Sequence, residues 1–145
     1  MGTRSTIAIE NADGTVTGIY VHWDGYLSNN GRILQENYTD EAKVRELIAL
    51  GDLSSLGETV GSKHDFNNAP DGECNAYGRD RGETDVGPAS YDTYANFLDV
   101  MGQEFDYLFV PGKGWQVRYF EGWDSVELPL TEALEKEQQR IASGE

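Results

Sequence analysis

Cysteine occurs once in this chain, at Cys74, so no intrachain disulfide can form and packing must hold the fold. Histidine occurs twice, at His22 and His64. With so few imidazoles, and with no His-Glu-x-x-His run or Cys/His cluster, the common zinc signatures are excluded. Gly-x-Ser-x-Gly, the nucleophile elbow of α/β-hydrolases, is absent as well. Gly57 to Lys63 has the outline of a phosphate-binding loop but places Ser62 where that loop needs glycine. No motif calls for a cofactor. Long apolar runs are missing too: none approaches the ~20 residues that span a bilayer, and Met1 to Ile9 is not a signal-type segment. The expectation is a cytoplasmic protein with no membrane contact.

Positive charge is scarce relative to negative. Lys and Arg total 11 against 26 Asp and Glu, which leaves a formal charge of −15 on 145 residues. Between Arg81 and Lys113 there is no basic side chain, yet Glu83, Asp85, Asp92, Asp99, Glu104 and Asp106 occur. Such a surface repels nucleic acid and anionic lipid and attracts basic surfaces. The partner class that follows is a protein or nucleoprotein complex with a basic groove, with no direct nucleic-acid binding. Self-association into a homo-oligomer is the other kind of partner to test.

What is present suffices for a core. The chain is 38% hydrophobic, with 3 Trp, 8 Tyr and 5 Phe, which a disordered acidic tail would lack. Its length fits one domain over residues 1–145. Ser5 to Glu10 and Thr15 to Trp23 are β-rich runs around Asp13-Gly14, a hairpin signal. Phe105 to Val110 and Trp115 to Phe120 form a second hairpin around Pro111 to Gly114. Val44, Leu47 and Ile48 make a helical stripe after Thr39, an N-cap residue type. Tyr94, Phe97, Leu98 and Met101 make another, in a helix over Tyr91 to Met101 capped by Ser90. A last helix runs from Thr131 to about Ile141 on a thin stripe. Residues 62–88 are rich in Gly, Asn, Pro and Asp and read as a long irregular loop, with a short strand through Cys74 to Gly78. The predicted fold is α+β: one domain, an antiparallel sheet built from two hairpins, and about three helices.

The acidic stretch is the strongest candidate site. Asp92 and Asp99 are seven apart, so on one helix they share a face ~10 Å apart along the axis. Glu104 and Asp106 flank Phe105, so on one strand they share a face ~7 Å apart. With Asp85, these carboxylates form rows of the kind a basic groove binds. His22-Trp23-Asp24-Gly25-Tyr26 is dense in interface residue types, and Trp23 and Tyr26 are the candidate apolar anchors. Arg79-Asp80-Arg81 is the one basic concentration, and ion pairs that order the long loop are its expected use. His22 with Asp24, and His64 with Asp65, are the material for a metal site, though their spacing does not bring the two pairs together.

Arg4 to Glu10, Gly18 to Tyr26, Leu50 to Gly57 and Tyr77 to Glu83 resemble segments of a group of small, acidic, largely uncharacterised proteins encoded by bacteriophages and prophages. The resemblance runs from the N-terminus through about Asp85 and implies a phage setting, hence the host cytoplasm. It implies no activity. Small acidic phage proteins include inhibitors of host defence, several of them DNA mimics. Three readings follow. The first is an inhibitor of a host defence or nucleic-acid-handling complex, of anti-CRISPR or anti-restriction type, that acts by acidic mimicry and is not an enzyme. The second is an acidic interaction or oligomerising module without mimicry. The third is a small metal-dependent enzyme using His22, Asp24, His64 and Asp65.

Overall fold

The alternation of β-branched residues around Asp13-Gly14 produces a hairpin of β1 (Ser5–Glu10) and β2 (Val16–Val21). The computed structural model describes residues 3–144. After β2, a π-helical turn (Leu27–Gly31) runs into α1 (Arg32–Asn37) and α2 (Glu41–Ala49). Then come β3 (Leu53–Ser55), a 3-10 turn (Phe66–Asn68), β4 (Asn75–Ala76) and α3 (Tyr77–Arg81). The rest is β5 (Ala89–Tyr91), α4 (Tyr94–Met101), β6 (Phe105–Val110), β7 (Gly114–Glu121), β8 (Asp124–Pro129) and α5 (Leu130–Ala142).

The chain is a single α+β domain around an 8-stranded sheet in the order β4-β3-β2-β1-β6-β7-β8, with β5 also on β2. Both expected hairpins are present. The sheet is mixed, however, and not antiparallel throughout. β1 pairs β6 in parallel, Thr6 opposite Asp106, and β2 meets β3 in parallel at Val21 and Leu53. The two hairpins therefore join side by side through their first strands. One edge of β2 is divided between β5 and β3. The Tyr20 N–H bonds neither strand and donates instead to the Asp52 carboxylate at 3.0 Å. Burial raises the Asp52 pKa, and this hydrogen bond holds it back.

Alternation sorts the sheet residues onto two faces. On one, Ile7, Ile9, Ile19, Val21, Tyr107, Phe109, Trp115 and Val117 pack beneath α1, α2 and α5. Each such aliphatic side chain contributes about 1.5–3 kcal/mol relative to exposure. On the other face, Ala8, Val16 and Leu108 pack beneath α4 alone, through Phe97. Gly18 makes that possible: a Cβ there would lie 2.7 Å from the Phe97 ring and 2.8 Å from the Ala8 Cβ.

Two helix starts move. Asp40, not Thr39, caps α2 by accepting from the Lys43 N–H at 2.9 Å. Thr93, not Ser90, caps α4, accepting from the Asn96 N–H at 3.1 Å. The Ser90 hydroxyl lies instead on β5, 2.8 Å from the Thr17 hydroxyl across the strand pair. Among the described residues no helix is long and apolar enough to cross a membrane.

Candidate functional site

α4 lies with Tyr94, Phe97, Leu98 and Met101 against the sheet. The 3.6-residue period then turns Asp99 and Val100 outward, and both are exposed. Asp92 is exposed just before the cap and Glu104 just after the helix. Asp85 is exposed on the loop leading to β5, with a left-handed backbone at φ 62°. Asp92 and Asp99 do not share a helical face, because the helix begins only at Tyr94. They are nevertheless brought to one element and its flank.

Among the described residues no cation of the chain pairs with these four. Arg32, Arg45, Arg79, Arg81, Arg118, Lys136 and Arg140 each pair with a different carboxylate. Among the described residues no ion pair reaches Asp85, Asp92, Asp99 or Glu104; Glu104 accepts only the Arg4 backbone N–H, at 3.3 Å.

Asp106 leaves the set. It is wholly buried, so it offers nothing to a partner and shares no exposed row with Glu104, which precedes β6. Register explains its position. Tyr20, Thr6, Asp106, Arg118 and Glu127 stand opposite one another across five strands. Asp106 Oδ1 accepts from Thr6 Oγ1 at 2.7 Å and from the Gln103 N–H at 2.9 Å, and Oδ2 pairs with Arg118. Burial pushes its carboxyl above the ordinary value, while Thr6, Gln103 and Arg118 pull it back. The Gln103 bond fastens the chain just beyond α4 to the sheet, so Asp106 positions the acidic element without being part of it.

The long segment is held by a second buried carboxylate. Asp80 accepts from the Ala76 N–H at 2.8 Å, the His64 N–H at 3.1 Å and Arg79 Nε at 2.9 Å. Arg79 also donates to the Val60 and Cys74 carbonyls, at 2.7 and 2.8 Å. The Arg79-Asp80-Arg81 cluster thus ties the loop together, as expected, and Arg81 reaches Glu83. Burial would raise the Asp80 pKa, but Arg79 and the two backbone donors outweigh it and lower it. His64 Nδ1 faces the Ser62 carbonyl at 2.9 Å and Nε2 faces Asn75 Oδ1 at 3.0 Å. Asn75 Nδ2 donates to the Phe66 carbonyl, which fixes that amide's orientation. Both ring nitrogens therefore meet acceptors, an arrangement that only the doubly protonated ring satisfies.

Burial opposes the His64 charge, yet the Asn75 and Ser62 bonds and Asp80 prevail over burial and Arg79 and raise its pKa. A raised folded value means the stabilisation is present in full below about 6.5, the unfolded value, and is lost as pH rises through the folded value. NMR titration of the ring should give a higher pKa in the native protein than in urea. An equal or lower native value would remove the doubly protonated ring from this account.

His22 Nδ1 bonds the Tyr20 hydroxyl at 2.8 Å, and its ring lies edge-on to Trp23 at 4.7 Å. His64 belongs to the separate Asp80 cluster. Among the described residues no group of three or more His, Cys, Asp or Glu could hold a metal ion. Cys74 is buried and packs on Tyr38, and burial raises its thiol pKa. Trp23 and Tyr26 are both partly exposed, and Tyr26 lines a groove beside β7 and α5.

Sequence reasoning passed over Phe120 and Trp123, two further exposed aromatics at the end of the β7–β8 hairpin. The available signal was Gly122-Trp123 between alternating runs, a two-residue turn whose glycine adopts φ 65°. No protein-family model, no curated protein and no solved structure matches this chain.

Proposed function

We propose that this protein is a phage-encoded inhibitor that occupies a basic groove of a host defence or nucleic-acid-handling complex, presenting carboxylates where a phosphate backbone would lie. One observation carries the reading: Asp92, Asp99 and Glu104 on and beside α4, and Asp85 on the loop leading to β5, are exposed without an intrachain ion pair among the described residues. Unpaired carboxylates on a chain of −15 leave their field to a partner. The resemblance to small acidic phage proteins supplies the setting.

The test is affinity capture from bacterial lysate at low and at moderate salt, with mass spectrometry of what remains. A nucleic-acid-handling complex should be retained at low salt, with affinity falling about tenfold or more as the charges are screened. The double substitution D92K/D99K should abolish retention and leave thermal unfolding unchanged, because both side chains are exposed. Retention of every partner by the double variant would defeat the mimicry reading.

A further inference from the structure

Residues 60–68 carry no strand and only the short 3-10 turn, and Gly61, Ser62, Lys63, Asp65, Asn67 and Asn68 are exposed. Little apolar burial holds such a segment, so its polar fastenings decide whether it stays closed. It is tied to β4 and α3 at three places. The Val60 carbonyl accepts from Arg79 Nη1 at 2.7 Å. His64 donates its backbone N–H to Asp80 Oδ1 at 3.1 Å, and its ring reaches Asn75 on β4. The Phe66 carbonyl accepts from Asn75 Nδ2 at 3.1 Å. The Phe66 ring stacks on Tyr77 at 5.5 Å, with the Arg81 guanidinium over both rings.

Of the three, only the middle one holds an imidazole, the side chain whose charge changes near neutral pH. The His64 and Asp80 side chains are 10% and 0% exposed, and Nε2 lies 3.5 Å from Asp80 Oδ2 as well as 3.0 Å from Asn75 Oδ1. Nδ1 faces the Ser62 carbonyl at 2.9 Å. A neutral ring keeps one proton, so in either tautomer one nitrogen turns a lone pair on an oxygen. Turning the Asn75 amide over does not repair this, because its Nδ2 would leave the Phe66 carbonyl and its Oδ1 would face that carbonyl instead. From α3, Asp80 favours the charged ring and Arg79 opposes it. Arg81 is occupied with Glu83 and the Phe66 ring. Just before β4, Glu73 accepts the Ser62 N–H at 3.2 Å, and Lys63 and Asp65 are exposed on either side of His64.

We propose that residues 60–68 form a strap latched by the His64 proton: the imidazolium joins Ser62 to Asn75 and Asp80, and its loss as pH rises lets the strap lift from β4 and α3. Lifting breaks the His64–Asp80 and Asn75–Phe66 hydrogen bonds and uncovers the Asp80 carboxylate. The sheet and α4 stay closed on their own cores. The device is separate from the α4 carboxylates and does not depend on nucleic-acid mimicry.

The experiment is native-state amide hydrogen exchange of the full chain from pH 6 to pH 8, read as protection relative to the unstructured rate at each pH so that base catalysis cancels. The His64 amide should be at least tenfold less protected than the amides of β1 and β6 throughout, the mark of local opening. Its protection should fall at least threefold across the range. That fall should share its midpoint with the His64 ring titration followed by ring nitrogen shifts, with both nitrogens protonated at the acid end. His64→Gln, neutral at every pH, should show no such fall. Constant protection of the His64 amide would overturn the proposal. So would an equal fall in His64→Gln, or a fall that follows the His22 ring instead. Protection equal to that of β1 and β6 would also overturn it, since the strap would then open only with the whole fold.

Discussion

Asp106→Ala should destabilise the fold by about 3–5 kcal/mol, the usual cost of removing one partner from a buried ion pair. The substitution strands Arg118, whose guanidinium lies over the Phe120 ring at 5.0 Å and whose Nε is already buried without a hydrogen-bond partner among the described residues. It also leaves the Thr6 hydroxyl and the Gln103 N–H without their acceptor. Urea unfolding measures the loss. The double variant Asp106→Leu with Arg118→Met removes both charges together and should recover most of it, because an apolar pair of similar volume leaves no unpaired buried charge. A loss below about 1 kcal/mol for Asp106→Ala, the scale of an exposed pair, would mean that water reaches this pair and that it does not fasten α4.

Phe97→Ala should cost a comparable ~3–5 kcal/mol, with a different signature. Phe97 is wholly buried and sits centrally in the cluster beneath α4, where Tyr91 and Tyr94 pack on its ring at 5.7 and 6.1 Å. The opposite face of the sheet has its own larger core under three helices. Loss of Phe97 should therefore loosen α4 ahead of the sheet, and native-state hydrogen exchange should show α4 amides opening first. Gly18→Val should act from the other side, since even its Cβ would enter the space the Phe97 ring fills. If α4 amides kept the protection of β1 and β6 in both variants, α4 would not depend on this cluster. The same variants bear on function: if the acidic element must be held rigid, partner affinity should fall with Phe97→Ala although no carboxylate has changed.

Local signals carried both hairpins. Asp13-Gly14 and the Pro111 to Gly114 stretch lie between alternating runs, and nearest-neighbour antiparallel pairing needs only a tight turn. The helical stripes of α2, α4 and α5 were legible for the same reason, within a residue or so of their starts for α2 and α5. The parallel pair β1–β6 was not, because its register joins residues a hundred positions apart. β8 was missed because Asp124, Glu127 and Pro129 dilute its Val126 and Leu128 alternation, as is common for an edge strand. β5 displaced the expected first turn of α4, since Ser90 had an alternative partner in Thr17 on β2.

Net charge is additive along the chain, so the sequence by itself determined the formal charge of −15 and the sign of the field around the protein. It determined equally that no disulfide forms within the chain and that the aromatic content supports a core. Only the tertiary structure decided what each carboxylate does. Asp99 and Asp106 are chemically alike and seven residues apart, yet one faces solvent on α4 and the other is buried against Arg118. That difference arises from which strands lie beside β6, because a residue in a sheet takes its surroundings from its cross-strand neighbours and not from those next to it in sequence.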